Sequence, residues 1–222
     1  MLEKLPIARW GWKDLNLFGW PLVAAILLCL LLGSPWRWIA VIPVVLLLWL
    51  ISFFRDPRRD IPDDELAIVA PADGTVVDIT PLAEYHFIGR RSVRIGIFLS
   101  IFNVHINRAP TAGRVLEMHY QPGKFLNALK PESADHNEYM WIGMERTGAE
   151  PDRFAVRQIS GMLAKKIVCE LRPGQTVSRG EKFGMIKLGS RTELVLPADA
   201  VDITVQVGDK IRAGADIVAR WK

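Results

Sequence analysis

The chain of 222 residues has few of the groups that build metal centres or disulfide frameworks, with only two cysteines and four histidines. Cys29 and Cys169 are far apart in the sequence, which excludes a paired-cysteine zinc motif. We expect both to be buried thiols, with the catalytic part of the chain in a reducing compartment. The sequence therefore predicts no metal site.

Between Asp14 and Phe54 the only charged residue is Arg37, which interrupts a long apolar region. Two apolar stretches, at about 17–32 and 36–54, each approach the roughly 20 residues that cross a bilayer. Because a backbone in lipid must satisfy its own hydrogen bonds, both stretches should be helices. Residues 1–54 are therefore expected to form an α-helical membrane anchor.

The turn signal Gly33-Ser34-Pro35 makes this anchor a hairpin. Pro21 and Pro43 can bend its helices, which leaves open either two full crossings or a re-entrant hairpin. Basic residues flank it on both sides: Lys4, Arg9 and Lys13 before it, and Arg55, Arg58 and Arg59 after it. By the positive-inside tendency both ends face the cytoplasm, which predicts the cell (inner) membrane, with the catalytic domain in the cytoplasm.

The sequence also lacks a strong charge of either sign. Its formal net charge is +4, and it has no long run of Lys and Arg with interleaved aromatic residues. Such runs are typical of nucleic-acid binding, so we expect no nucleic-acid partner. Beside an apolar anchor, a mild basic excess favours anionic lipid headgroups.

Residues 55–222 have the pattern of short β-strands between turn residues. The predicted strands are 67–70, 74–79, 92–99, 113–118, 154–159, 183–186, 191–196, 203–207 and 217–218. A short helical pattern covers 163–167. We therefore expect a mainly β (α+β) catalytic domain.

Two glycine phrases of one spacing, G-x-x-φ-x-x-G, occur at 174–180 and 208–214, and an apolar strand follows each. Their glycines allow tight turns with positive φ. The phrase resembles the hairpins of biotinyl and lipoyl carrier domains, and two copies favour a pseudo-symmetric β-sandwich with barrel-sandwich-like hairpins. Coincidence between two turn-rich hairpins is the alternative.

Gly189-Ser190 joins two apolar strands, where a Gly-Ser pair is ordinarily only a turn. A strained Gly-Ser bond can also cut itself. The Ser190 hydroxyl attacks the Gly189 carbonyl, the acyl group moves from nitrogen to oxygen, and elimination from the ester breaks the chain. Glycine removes side-chain obstruction and tolerates unusual torsions there. The hydroxyl is a weak nucleophile at neutral pH and needs a base.

The four histidines are candidates for that base: His86, His105, His119 and His136. His105 differs from the others because it lies among apolar residues at a predicted strand-to-loop junction. A lone histidine is nevertheless more often a surface or core residue. Asp73, in the segment 71–74, is by itself an ordinary turn residue.

Three segments taken together resemble phosphatidylserine decarboxylase in its shorter bacterial and archaeal form. They are Pro71-Ala72-Asp73-Gly74, Asn103-Val104-His105-Ile106-Asn107-Arg108-Ala109-Pro110 and Lys187-Leu188-Gly189-Ser190, in the family's order. The resemblance covers about 54–222, and the apolar hairpin also suits the family. It implies a relay in which Asp73 orients His105, His105 deprotonates Ser190, and Ser190 attacks Gly189.

The resemblance further implies two chains after cleavage, 1–189 (the β chain) and 190–222 (the α chain). The smaller chain would begin with a pyruvoyl group made from Ser190. Its ketone would form a Schiff base with the amine of phosphatidylserine in the bilayer, releasing CO2 and then phosphatidylethanolamine. His105 is the implied proton donor, and Arg108 beside it is the one candidate headgroup contact. The sequence leaves open whether the chain forms a homo-oligomer.

Two positions depart from many longer relatives. Arg191 follows Ser190 where those relatives have threonine, and Phe102 stands where they have a second histidine. This chain therefore has no histidine at position 102 that could perform a separate role of the second histidine.

Three competing functions stay open. A membrane-tethered carrier domain could use Lys187, although carrier lysines lie at the tip of a short symmetric turn. A zinc peptidase would need a His-x-His pair, and Asn107 stands where the second histidine would be. A pyruvoyl decarboxylase could also act on another amine substrate.

Overall fold

The N-terminal unit is a helical pair. The computed structural model describes residues 6–124, 136–148, 150–161, 166–187 and 190–222, and the chain divides into two compact units between Arg58 and Arg59. In the first unit, α1 spans Trp12–Leu31, α2 spans Trp36–Ile39 and α3 spans Val41–Phe53.

The ends of these helices follow from a few residues. Helix α1 begins before the apolar stretch predicted at 17–32, and its first turn contains Lys13 and Asp14. The interruption between α2 and α3 falls at Ala40. Pro43 has no N–H to donate to the carbonyl of Ile39, and its ring crowds that carbonyl.

The helical segments Arg9–Leu31 and Trp36–Phe53 are long and apolar enough to cross a membrane, with mean hydropathies of 1.9 and 2.0. Many of their large apolar side chains are exposed, among them Leu31 and Trp38. Such a surface is unfavourable in water and favourable in lipid. The predicted pair of apolar helices is confirmed, and its exposed apolar surface is consistent with membrane association.

The second unit is built from β-strands. The described residues contain β1 (Ala67–Val69), β2 (Gly74–Tyr85), β3 (Arg90–Leu99), β4 (Ile106–Arg108), β5 (Gly113–Gln121), β6 (Tyr139–Arg146), β7 (Arg153–Ile159), β8 (Lys166–Cys169), β9 (Thr176–Val177), β10 (Lys182–Lys187), β11 (Ser190–Pro197), β12 (Val201–Ile203), β13 (Lys210–Ile211) and β14 (Ile217–Trp221). The predicted mainly β fold is confirmed.

The strands form three antiparallel sheets. The largest has the order β13-β2-β3-β11-β7-β6-β5-β9, and the smaller ones have the orders β1-β14-β12 and β4-β10-β8. Apolar side chains from all three sheets share one core, for example Ile97 of β3, Leu194 of β11, Phe183 of β10 and Val218 of β14. Strand β11 is therefore central, since it pairs with β3 and β7 within the largest sheet.

The sheets have an internal pseudo-twofold symmetry about the β11–β7 pair. In the largest sheet, β13-β2-β3-β11 corresponds to β9-β5-β6-β7, and the two smaller sheets correspond to each other strand by strand. The registers agree, because Gly74 pairs with Ile211 and Gly113 pairs with Val177. The prediction of a pseudo-symmetric sandwich is confirmed.

The two halves also share sequence where each enters the largest sheet. Ala70-Pro71-Ala72-Asp73-Gly74 connects β1 to β2, and Ala109-Pro110-Thr111-Ala112-Gly113 connects β4 to β5. The glycine phrases at 174–180 and 208–214 contain the edge strands β9 and β13. Their four outer glycines all have positive φ, between 75° and 101°, so these glycines make the predicted turns.

Two predicted segments differ from the structure. Strand β12 ends at Ile203, because a turn closed by the Gln206 N–H donating to Asp209 Oδ2, 2.9 Å, takes the chain out of the sheet. The helical pattern at 163–167 is wrong for its last two residues, which begin β8 and pair with β10, as Ile167 does with Ile186. Residues 162–165 lie outside the described residues.

Replacing Gly214 by alanine should destabilise the protein more than replacing Gly208. Both have positive φ, which costs an alanine roughly 1–2 kcal/mol. A Cβ at Gly214 would also lie 2.8 Å from Arg108 Cδ, whereas one at Gly208 meets nothing within 4 Å. Overpacking adds about 1–3 kcal/mol. Thermal unfolding midpoints in detergent should fall further for Gly214→Ala, and equal falls would contradict this packing.

Candidate active site

Ser190 is the first residue of β11 and lies opposite Leu99 of β3. It is fully buried, and its Oγ makes no hydrogen bond with the described part of the chain. Side chains two residues apart share a face of a strand, so Ser190 points to the same side as Thr192. Leu188 and Gly189 lie outside the described residues.

His105 immediately precedes β4 and is fully buried. Its carbonyl accepts the Ile186 N–H at 3.2 Å, at the end of the strand that leads towards Ser190. Its Nδ1 lies 2.9 Å from the carbonyl oxygen of Asn103. Because a carbonyl only accepts, Nδ1 carries the proton, and in the neutral ring Nε2 is the basic nitrogen. His105 is therefore oriented as a base.

Asp73 lies in the turn between β1 and β2 and is buried. Arg59 Nη2 donates to both carboxylate oxygens, at 2.9 Å to Oδ1 and 2.7 Å to Oδ2. The Ala213 N–H donates to Oδ1 at 2.8 Å. These charge-assisted bonds fix the carboxylate in one orientation. The pairing of Asp73 with His105 stays a prediction.

The turn that carries Ala213 is itself braced by an ion pair. Arg212 Nη2 lies 2.8 Å from Asp216 Oδ1, and the Arg212 N–H donates to Asp216 Oδ2 at 2.8 Å. The hydrogen bond from Arg212 lowers the pKa of Asp216 below its usual range. This pair contributes stability above the unfolded-state pKa and loses it as the pH falls through the lower folded pKa. The Ala213 N–H that binds Asp73 therefore lies in a turn that the Arg212–Asp216 ion pair stabilises.

The side-chain amide of Asn107 links the three segments that carry the predicted residues. It is fully buried. Its Nδ2 donates to Thr192 Oγ1 at 3.0 Å and lies 3.4 Å from the Pro71 carbonyl oxygen. Its Oδ1 accepts from Gln158 Nε2 at 2.9 Å. One amide therefore connects β4 to β11, to β7 and to the turn before β2.

Each of these links lies two residues from a predicted site residue. Pro71 precedes Asp73, Asn107 follows His105, and Thr192 follows Ser190. The backbone adds a further link, since the Arg108 N–H donates to the Pro71 carbonyl at 3.0 Å. The structure therefore brings the three segments to one end of the sheet, with a buried hydroxyl and an oriented imidazole. That combination suits activation of a serine hydroxyl.

Arg108 is largely buried, and its Nη1 donates to the Gly180 carbonyl oxygen at 3.0 Å. This contact joins β4 to one of the glycine phrases. Lys187 lies within β10. Burial raises the pKa of the Cys169 thiol to about 11, so this cysteine is a protonated thiol at neutral pH and a poor nucleophile.

Sequence reasoning missed three residues at this end of the sheet. Asn107 has no assigned role in its motif, although a buried amide among apolar residues is a signal of a hydrogen-bonded link. Arg59 stands out in the sequence only as a charge that flanks the membrane anchor. Ser160 follows Ile159, the partner of Arg191, and its buried Oγ also makes no hydrogen bond with the described residues. No local signal distinguishes Ser160.

Fold and site define a β-protein with two apolar N-terminal helices and a buried serine at the start of its central strand. Residues 46–219 match the model of the phosphatidylserine decarboxylase family. Relatives described as phosphatidylserine decarboxylase proenzyme include one from Rhodopirellula baltica, 44% identical over 99% of this chain and 90% of its own length. Another, from Carboxydothermus hydrogenoformans, is 40% identical over 91% of this chain and 94% of its own.

A third such proenzyme, from Prosthecochloris aestuarii, is 46% identical over 88% of this chain and 87% of its own length. The chain therefore belongs to the phosphatidylserine decarboxylase family and is an enzyme, a decarboxylase. The resemblance found in its sequence motifs is confirmed. The shared description of these relatives favours neither a carrier domain, nor a zinc peptidase, nor a pyruvoyl decarboxylase of another amine.

Replacing Thr192 by valine should slow self-cleavage while Thr192→Ser leaves it near the wild-type rate. Valine keeps the shape but removes the oxygen that accepts from Asn107, and a buried unsatisfied group costs about 1–3 kcal/mol. We expect a loss of about tenfold or more, since about 1.4 kcal/mol corresponds to tenfold. The uncut fraction is followed on gels after synthesis in a cell-free system. Equal rates for valine and serine would contradict a role of this link.

Proposed function

We propose that the chain cuts itself between Gly189 and Ser190 and then decarboxylates phosphatidylserine with a pyruvoyl group made from Ser190. The observation that carries the proposal is the convergence of three segments on Asn107, which lies two residues after His105. Family membership supports it independently, because its relatives are described as proenzymes.

The proposed cut begins with Ser190 Oγ as the nucleophile and His105 Nε2 as its base. The hydroxyl attacks the Gly189 carbonyl carbon, and the peptide C–N bond breaks as the ester C–O bond forms. Removal of the Ser190 Cα proton then expels the Gly189 carboxylate and leaves dehydroalanine. Water adds to the tautomer, and ammonia leaves. The base raises the rate of the first step by about 10²–10⁴-fold.

The surroundings of Ser190 fit a small ketone in its place. Ser190 is fully buried, and its Oγ has no hydrogen-bond partner among the described residues, so an oxygen there needs no existing bond to be broken. The pyruvoyl group supplies an electron sink for the loss of CO2. It would be held at the start of β11, between Leu99 of β3 and the end of β7.

The chain's own residues supply proton transfer and orientation. His105 returns a proton after CO2 has left, from the same Nε2 that acts in the cut, since Nδ1 is engaged by the Asn103 carbonyl. Asp73, whose carboxylate is fixed by Arg59 and Ala213, is proposed to orient His105. Arg108 stabilises β4 through the Gly180 carbonyl, and its contact with the lipid headgroup is part of the proposal.

The proposed membrane anchor would keep the catalytic domain at the bilayer that contains its substrate. We assign residues 1–54 to the anchor and 55–222 to the catalytic domain, which the cut divides into chains 1–189 and 190–222. Basic residues on both sides of the helical pair favour the cell (inner) membrane, with the catalytic domain in the cytoplasm. A lipid substrate confined to the bilayer then gains effective concentration at the site.

Alanine at position 190 should leave one uncut chain, whereas Ser92→Ala should cut as wild type does. Ser92 is a matched control because it is also buried, but it pairs with Pro197 at the other end of β11. His105→Ala should slow the cut by about 10²-fold or more, and Asp73→Asn should slow it less. Gels and a CO2-release assay with carboxyl-labelled phosphatidylserine give the readouts.

Normal cutting by Ser190→Ala would refute the proposed site. Normal cutting by both His105→Ala and Asp73→Asn would refute the relay and leave the cleavage site in place. A wild-type chain that is uncut and yet releases CO2 would refute the pyruvoyl mechanism.

A further inference from the structure

Arg191 is a buried charge that the proposed reaction does not use. It is the largest fully buried side chain of the described residues. Its Nη2 lies 2.6 Å from Asp78 Oδ2, and its Nε lies 2.9 Å from Glu193 Oε1. Because side chains alternate along a strand, Arg191 and Glu193 lie on the opposite face of β11 from Ser190.

The Arg191–Asp78 pair crosses a whole strand. Arg191 belongs to β11 and Asp78 to β2, and β3 lies between these strands. Gly96 of β3 lies opposite Asp78 on one side and Glu193 on the other. A Cβ at Gly96 would overlap the side chains of both Arg191 and Asp78. Because residue 96 is glycine, the side chains of Arg191 and Asp78 can meet over the intervening strand β3.

Further ion pairs surround this one. Arg94 Nε of β3 lies 3.8 Å from Asp78 Oδ1 and 3.7 Å from Glu193 Oε1. Arg157 Nη1 of β7 lies 3.6 Å from Glu193 Oε2. Apart from Arg191–Glu193, each pair that involves β11 joins residues 190–222 to an earlier strand. After the proposed cut, these pairs would connect two separate chains.

We propose that Arg191 is a positioning residue that holds the new end of the 190–222 chain in place once the Gly189–Ser190 bond is gone. The proposal rests on the proposed function. A pyruvoyl group made from Ser190 is an acyl group on the Arg191 backbone nitrogen, so Arg191 is the first amino acid of the new chain. New chain ends lose order unless contacts tie them down.

In the uncut chain, the position of Ser190 depends less on the Arg191–Asp78 ion pair. There the backbone continues from β10 through 188–189 into β11, and both strands are paired. After the cut, the pyruvoyl group and Arg191 are joined covalently only to the residues that follow them. The buried ion pair to Asp78 then becomes the first side-chain anchor behind the reactive group. Its loss should therefore matter more in the cut form than in the uncut form.

The test compares Arg191→Gln in two backgrounds of the full chain, the cut enzyme and the uncut Ser190→Ala form. Hydrogen–deuterium exchange is followed for the amides of residues 191–196. We expect Arg191→Gln to be cut, and its exchange in the cut form to rise by about tenfold over the unsubstituted cut form, as local opening becomes easier. In the uncut background the same substitution should raise exchange much less.

Two further variants test the partner and the specificity. Asp78→Asn removes the other half of the pair and should reproduce the exchange pattern of Arg191→Gln. Arg90→Gln is the matched control, because Arg90 pairs with Asp199 of the 190–222 chain, but at the opposite end of β11. It should leave the exchange of residues 191–196 unchanged. In phosphatidylserine vesicles, Arg191→Gln should lower kcat with little change in KM.

The outcomes separate this inference from the proposed function. A wild-type chain that is never cut would refute the proposed function. A wild-type chain that is cut, with equal exchange effects of Arg191→Gln in both backgrounds, would overturn the role of Arg191 alone, since a purely structural residue acts equally in both. A folded Arg191→Gln chain that stays uncut would also overturn the proposal, because Arg191 would then be needed for the cut itself.

Discussion

The buried amide of Asn107 is the interaction on which the site depends. It reaches Thr192, Gln158 and the Pro71 carbonyl, and thereby connects strands that are far apart in the sequence. A buried amide must satisfy donors and acceptors together, so it tolerates few other arrangements of its neighbours. The packing of the sandwich brings β4 close to β11, and the amide fixes their relative position.

Pseudo-symmetry explains how one such site arises in a repeated scaffold. The turns at 70–74 and 109–113 occupy equivalent places in the two halves, but the position of Asp73 is taken by Ala112 in the second half. The two halves therefore supply different parts. One gives the carboxylate and the strand that begins with Ser190, and the other gives His105. The contacts of Asn107 with Pro71 and Thr192 hold these parts at one end of the sheet.

Local patterns predicted the fold better than they predicted the site. The apolar segments before residue 54 fix the helical pair, and the positive-φ glycines at 174–180 and 208–214 mark the edge strands. Strand β6, Tyr139–Arg146, was not predicted because its glycine and charged residues obscure the strand pattern. The pairing of Arg59 with Asp73 and the links of Asn107 depend on strand order, which no local pattern contains.

The proposed chemistry takes place at one bond, between Gly189 and Ser190. Intact-mass spectrometry of the purified chain tests this assignment most directly. The predicted result is two chains, one ending in a free carboxylate at Gly189 and one in which a pyruvoyl group replaces Ser190. Their masses should sum to that of the full chain plus one water minus one ammonia. A single mass for the full chain, a cut at another bond, or a small chain that begins with an unmodified serine would contradict it.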